Sequence, residues 1–329
     1  MNGKIFFWLL VTIVLIPARP TEAQQPKKVH RVGYLSGASF SSSSMSARIE
    51  SFRQVLRELG YTEGKNIFIE WRSAEENADR MQELAAELVR LQVDVIVTGG
   101  STSTRSAKKA TSTIPIVMAQ DDDPVGSGFV ASLARPGGNI TGLSTLSPEL
   151  SGKRLELLKE IVPRLSRVAV IGNLTSPGSP QGLKEIELAA GALGVKLQHL
   201  DVQNPNDIET AFRAAGKGRA DAVIELSGAV LISQRTRVAE LAAKSRLPAI
   251  YHRREFVEAG GLMSYATNII DLERRAATYV DKILKGAKPT DLPVEQPKKF
   301  EFIVNLKAAK QIGLTIPPNV LARPDKVIK

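Results

Sequence analysis

The sequence predicts an α/β fold written twice, as two similar lobes that each carry an open parallel sheet with helices on both faces. Three observations lead there. Short apolar strands alternate with amphipathic helices along nearly the whole chain beyond residue 27. The series of strands is restated in the second half at an offset of about 127 to 137 residues, too long a period for a solenoid and suited to a duplicated lobe. Glycine and proline clusters fall at three places where a chain would pass between lobes.

In the first half, strands are expected at 31–35, 66–71, 93–98 and 115–119, with a short one at 139–142. Helices are expected to start near Met45, Glu75, Ser101 and Val125. In "SMSARIESFRQVLRELG" the apolar Ile49, Phe52, Leu56 and Leu59 recur at helical spacing, and Gly60 supplies a stop. The second half repeats the pattern with "RVAVIGN" from Arg167, "VKLQHLDV" from Val195, "ADAVIEL" from Ala220, "LPAIYH" from Leu247 and "GLMSYA" from Gly261.

The connectors are "ARPGGNITGLSTLSP" from Ala134, "AGGLMSYATN" from Ala259 and "GAKPTDLPVEQPKK" from Gly286. As three crossings of a hinge they divide the chain into an N-terminal lobe of 27–142 plus 266–292 and a C-terminal lobe of 143–265 plus 293–329. As ordinary turns they would sit within one large sheet.

Residues 1–23 have the parts of a secretory signal: Lys4, an apolar run from Ile5 to Ile16, helix-breaking Pro17, and Thr21-Glu22-Ala23 as the cleavage site. The run is shorter than the ~20 residues that span a bilayer. An exported protein, soluble once cleaved after Ala23, is expected. The chain has no cysteine, which excludes disulfides, thiol chemistry and a lipid anchor on cysteine. Its net charge of +10 is spread along the chain rather than gathered in a stripe, so a nucleic-acid partner is not expected.

Ligands of open parallel sheets bind beyond the carboxyl ends of the strands. "TGGSTST" lies at such an end, where Gly99 and Gly100 permit a tight turn and Ser101, Thr102 and Ser103 either cap the following helix or present hydroxyls to a ligand. Polar loops recur at corresponding places: "LSGASFSSSS", "MAQDDDP", "GNLTSPGSP", "ELSGA" and "YHRREF". Loops of this kind from two facing lobes describe a cleft.

In "DDDP", the acids Asp121, Asp122 and Asp123 are open to three readings: a cation site, a partner for a ligand ammonium, or helix capping. Three consecutive side chains do not converge on one ion, and the spaced calcium-loop pattern is missing, so no metal is expected. The chain has no phosphate-binding glycine loop, no nucleophile elbow and no H-E-x-x-H. His30, His199 and His252 are far apart, and only His252 falls at a cleft edge. Catalysis and a cofactor are therefore not expected.

The stretches "RVGYLS" from Arg31, "DPVGSGFVASLARPGGNITGLS" from Asp123, the run "EFVEAGGLMSYATNIIDLERRAATYVDKILKGAKPTDLPVEQPKKFEFIVNLKAAKQIGLTIPP" from Glu255 and the closing "LARPDKVI" resemble the periplasmic substrate-binding proteins of ABC transporters, in the tryptophan/tyrosine-type branch. The resemblance covers essentially all of the chain after the signal. It implies a type I periplasmic-binding-protein-like fold of two Rossmann-like lobes, a small-molecule solute, membrane permease subunits as partner, a monomer and a periplasmic location.

It further implies ligand contacts at Ser36, Phe40, Gly100, Ser101, Thr102, Asp121, Asp122 and Asp123 in one lobe, facing Asn173, Ser176, Glu225, Ser227, Tyr251 and Glu255 in the other. The third-strand turn reads Gly-Ser-Thr where that family often carries Thr-Pro, and aromatic residues are 5% of the chain. The ligand expected is thus a small polar solute, an amino acid or small carboxylate, rather than an aromatic amino acid by name. A same-fold receptor for a chemosensory or sensor-kinase partner and a secreted α/β enzyme are the competing readings.

Overall fold

The computed structural model describes residues 29–75, 77–176 and 178–329; the expected signal sequence lies outside them. Two sheets organise the chain. The first comprises β1 (His30–Ser36), β2 (Ile67–Ser73), β3 (Val95–Thr98), β4 (Ile116–Asp121) and β5 (Ile140–Ser144) in the order β2-β1-β3-β4-β5, every pairing parallel. Helices α1 (Ser43–Glu58), α2 (Ala78–Arg90) and α3 (Ser101–Ala110) connect its strands.

The chain then forms α4 (Ser151–Ile161) and a second sheet. Its parallel part alternates β6 (Arg167–Gly172), α5 (Ser179–Leu193), β7 (Lys196–Asp201), α6 (Asp207–Lys217) and β8 (Ala222–Glu225). There follow α7 (Ala229–Ser233), α8 (Arg235–Lys244), β9 (Ala249–Tyr251), α9 (Arg254–Glu258) and β10 (Met263–Thr267). Next, α10 (Ile269–Leu284) returns to the first lobe, and β11 (Phe300–Asn305), α11 (Leu306–Gln311), α12 (Pro318–Leu321) and β12 (Lys326–Ile328) complete the second. The order is β12-β11-β10-β9-β8-β6-β7, with β11 antiparallel to β10.

The cores follow from strand alternation. In the first sheet Val32, Tyr34, Val95, Val97, Val117 and Ala119 face α1 and α10, burying Phe52, Leu56, Leu272, Ala276 and Val280. The alternate residues Leu35, Ile96, Ile116 and Met118 face Met81, Ala85 and Leu88 of α2 and Ala107 of α3. Each buried Val, Leu, Ile, Phe or Met among them contributes about 1.5–3 kcal/mol by leaving water. The second sheet divides likewise: Val168, Val170, Ile224 and Ile250 pack on α4 and α5, while Ala169, Ile171, Val223 and Tyr251 pack on α6, α8 and α9.

The segments between lobes are bonded to one another. The Leu143 strand pairs with Glu295, whose amide donates to Gly142 O at 2.9 Å while Ser144 N–H donates to Glu295 O at 3.0 Å. Thr267 donates its hydroxyl to Thr145 O. Arg154, 1% exposed, donates to Ser147 O and Tyr265 O, both at 2.9 Å, so one guanidinium ties two of the passages. Gly142 has φ 131°, and a Cβ there would stand 2.2 Å from Met118 O. Only glycine lets β5 approach β4 so closely.

Two expectations change. No helix starts at Val125: residues 124–128 form successive turns, with Asp123 Oδ1 accepting from Gly126 N at 2.8 Å and Gly128 at φ 68°. Two glycines in four residues disfavour helix continuation. Strands β11 and β12, unforeseen in the proline- and lysine-rich tail, extend the second sheet.

Candidate functional site

The carboxyl ends of β1, β3 and β4 face those of β6, β8 and β9, and side chains from both lobes meet there. After β1, the hydroxyls mostly serve their own loop. Ser36 Oγ accepts from Ala38 N at 3.1 Å, Ser39 and Ser41 bond each other at 2.9 Å, and Ser42 caps α1 by accepting from Met45 N at 3.3 Å. Phe40 packs edge-on against Tyr34 and Trp71.

After β3, Gly100 at φ 145° turns the chain into α3, and its carbonyl receives Ser103 Oγ, Thr104 Oγ1 and Thr104 N. Ser101 is half-buried and Thr102 exposed at the start of that helix.

The three aspartates at the carboxyl end of β4 have separate fates. Asp121 is 1% exposed, accepts from Asp123 N at 3.1 Å and leaves Oδ2 without a partner. Burial, reinforced by the neighbouring Asp122 charge, pushes its carboxyl up to about 8. Asp122 reaches the other lobe: Oδ2 accepts from Ser227 Oγ, Oδ1 accepts from Thr145 Oγ1 at 2.8 Å, and the Arg253 guanidinium lies 3.9 Å away. Burial opposes its charge, but Arg253, His252 and the two hydroxyls outweigh it and hold the carboxyl below the ordinary carboxylate range. Asp123 caps the turn at Gly126.

On the second lobe, Asn173 Oδ1 accepts from Thr175 N and Oγ1, and Asn173 O receives Ser176 N and Ser179 Oγ, a loop closed on itself ahead of α5. That loop approaches Asp123, since a Cβ on Gly178 would lie 3.4 Å from Asp123 Cβ. Glu225 is buried and bonds His252 Nδ1, while Tyr251 stacks on Phe256 at 4.7 Å inside the core. Glu255 pairs across the lobes with Arg48 of α1. Burial opposes ionisation of Glu255, yet Arg48 and Arg253 hold its carboxyl down to about 2.

Of the residues expected from sequence, the structure thus brings Asp122, Ser227 and Glu255 into bonds between lobes. Ser36, Phe40, Asn173, Ser176 and Tyr251 engage their own loops or core. Residues the sequence did not single out complete the junction: Arg48, Thr145, Arg253, and Gln120, whose Oε1 accepts from Arg253 Nη1 at 3.1 Å. Arg253 lies inside "YHRREF", so its loop was legible though its reach was not; Arg48 reads in sequence as an ordinary helix-surface charge.

Two spaces lie between the lobes and border this junction. One of about 10 Å³, bounded by Asp122, Thr145, Ser147, His252, Arg253 and Thr267, has room for about one water. The other, about 210 Å³, lies between α1, α9 and the start of α10 and is lined by Ala47, Arg48, Arg254, Glu255, Glu258 and Ile269. Among the described residues no group of three or more His, Cys, Asp or Glu is placed to hold a metal, and no helix is long and apolar enough to cross a membrane.

Residues 38–328 match the family model described as ABC transporter substrate binding protein. The tyrosine-binding protein of Clostridioides difficile is 26% identical over 266 residues, which is 80% of this chain and 76% of that one. A solved ABC domain in complex with L-Trp from Streptococcus pneumonia is 26% identical with a TM-score of 0.84, covering 92% of this chain and 100% of that one. The ligand-free, open structure of a substrate binding protein with adhesive properties from Clostridium difficile is 25% identical with a TM-score of 0.69, covering 92% and 99%.

Proposed function

The chain belongs to the ABC transporter substrate binding protein family, and on that premise we propose that it captures a small polar solute, an amino acid or small carboxylate, in the cleft between its lobes and delivers it to a membrane permease. In this reading residues 1–23 export the chain to the periplasm and are removed. The mature monomer has lobes of 27–142 plus 266–292 and 143–265 plus 293–329. It performs no chemistry on the solute.

The observation that carries the reading is the set of polar side chains joining the two sheets' carboxyl ends: Asp122 to Ser227 and Arg253, Gln120 to Arg253, and Arg48 to Glu255. Such contacts exist only while the lobes are together, so they bias the chain toward closure, and a bound solute adds contacts made in that state alone. The higher likeness to the L-Trp complex than to the open, ligand-free relative supports a closed arrangement here. The names of the relatives make tyrosine and tryptophan the first solutes to try.

A thermal-shift screen over amino acids and small organic acids tests capture. A solute at 100 times its dissociation constant adds about 2.7 kcal/mol of stability. Such a rise, with the solute recovered unchanged after hours of incubation, is the expected result. Steady conversion of the solute would show an enzyme instead.

A further inference from the structure

We propose that Glu255 receives the cationic end of the solute in the cavity of about 210 Å³ between α1, α9 and α10, while the three aspartates at the carboxyl end of β4 serve the loop and the junction between lobes. This deepens the capture reading and rests on it.

Each aspartate is committed elsewhere. Asp122 accepts from two hydroxyls and faces Arg253; Asp123 caps Gly126; Asp121 is sealed in the first lobe beneath its neighbours, where its raised carboxyl carries a proton at neutral pH and is no partner for an ammonium. Asp121 also leaves a buried oxygen unpaired, but Glu255 differs from it in charge and in place. It is ionised, its Oε2 is buried without a hydrogen-bond partner, and its side chain borders both interlobe spaces. A buried carboxylate oxygen left unpaired is costly, and a guest ammonium satisfies it.

The charges around the two spaces also favour a guest bearing both signs. In the larger one Glu255 and Glu258 balance Arg48 and Arg254, so its lining is formally neutral. A guest with one charge leaves the closed cleft with a net charge, whereas a zwitterion does not. Its carboxylate then meets Arg48 or Arg254, the two guanidiniums of the larger cavity.

Titration calorimetry with matched pairs tests this: L-tyrosine against 3-(4-hydroxyphenyl)propionate, L-tryptophan against indole-3-propionate, and L-leucine against 4-methylpentanoate. Within at least one pair the amino acid should bind about tenfold or more tightly than its deaminated partner. Glu255→Gln should erase that preference, Glu255→Asp should weaken it while retaining the charge, and Asp121→Asn should leave it intact. Equal binding within every pair that binds overturns the proposal while leaving solute capture standing. So does a preference that survives Glu255→Gln and disappears in Asp123→Asn. A thermal-shift screen in which only solutes without an ammonium group raise the Tm overturns the proposal together with the amino-acid reading, while capture itself stands.

Discussion

The loop after β1 and the loop after β9 both leave the carboxyl end of a strand and lie on facing lobes, yet they use their polar groups in opposite ways. Ser36, Ser39, Ser41 and Ser42 satisfy one another, their own backbone and the first turn of α1. Arg253 and Glu255 extend to Gln120, Asp122 and Arg48 of the other lobe. A hydroxyl one bond from Cβ finds its nearest donor or acceptor locally, as serine does in turns and caps. A guanidinium on a three-carbon stem spans a gap and offers five donors. A loop rich in polar residues is therefore not by that fact a ligand surface; side-chain length decides what it reaches.

The contrast breaks most sharply at Arg48. Arg48→Ala leaves Glu255 charged and enclosed, and should cost about 3–5 kcal/mol in chemical denaturation while raising the radius of gyration of the solute-free protein. Unchanged dimensions would mean that this pair does not hold the lobes together.

Arg253→Ala should cost less, about 1–3 kcal/mol, because Asp122 keeps its bonds to Ser227 and Thr145 and the lost ion pair is the longer one at 3.9 Å. Denaturation curves for both variants fix the order.

Asp121 sharpens the comparison through pH. Its carboxyl rises from 3.8 to about 8 on folding, so the folded chain holds a proton that the unfolded chain releases, and stability falls as pH climbs between those values. Asp121→Asn removes that loss. Its Tm should exceed that of the parent by a few degrees at pH 8, roughly 1 kcal/mol or more, and converge with it near pH 4. Glu255 has the opposite sign: its depressed carboxyl stabilises above its ordinary 4.5 and ceases to do so as pH falls toward about 2.

The smallest effects belong to the serine loop. Ser42→Ala should cost about 0.5–2 kcal/mol through the lost cap, and Ser41→Ala within about 0.5 kcal/mol, with neither altering the distance between lobes.

The sheets were legible because a strand buried on both faces is a run of apolar residues bounded by turns, as in "VDVIVTGG" and "ADAVIEL". The failures have equally local causes. Val125 begins what looks like a helix until Gly126 and Gly128 take the chain through turns, and β11 hides behind a proline-rich approach. Polar strand ends could be listed from sequence, but the residues that join them could not. Arg48 and Glu255 are 207 positions apart, and no periodicity within α1 marks one of its arginines as facing another lobe. Tyr251 and Glu225 end buried strands as expected, though inside the second lobe.

The absence of cysteine makes the central claim directly measurable. Lys109 on α3 and Lys184 on α5 are exposed on opposite lobes, and spin labels on Lys109→Cys and Lys184→Cys report the gap between them. With saturating solute, taken as whichever compound raises the Tm, the distance distribution should narrow and shift to its short end; the same distribution with and without that solute would contradict capture by closure.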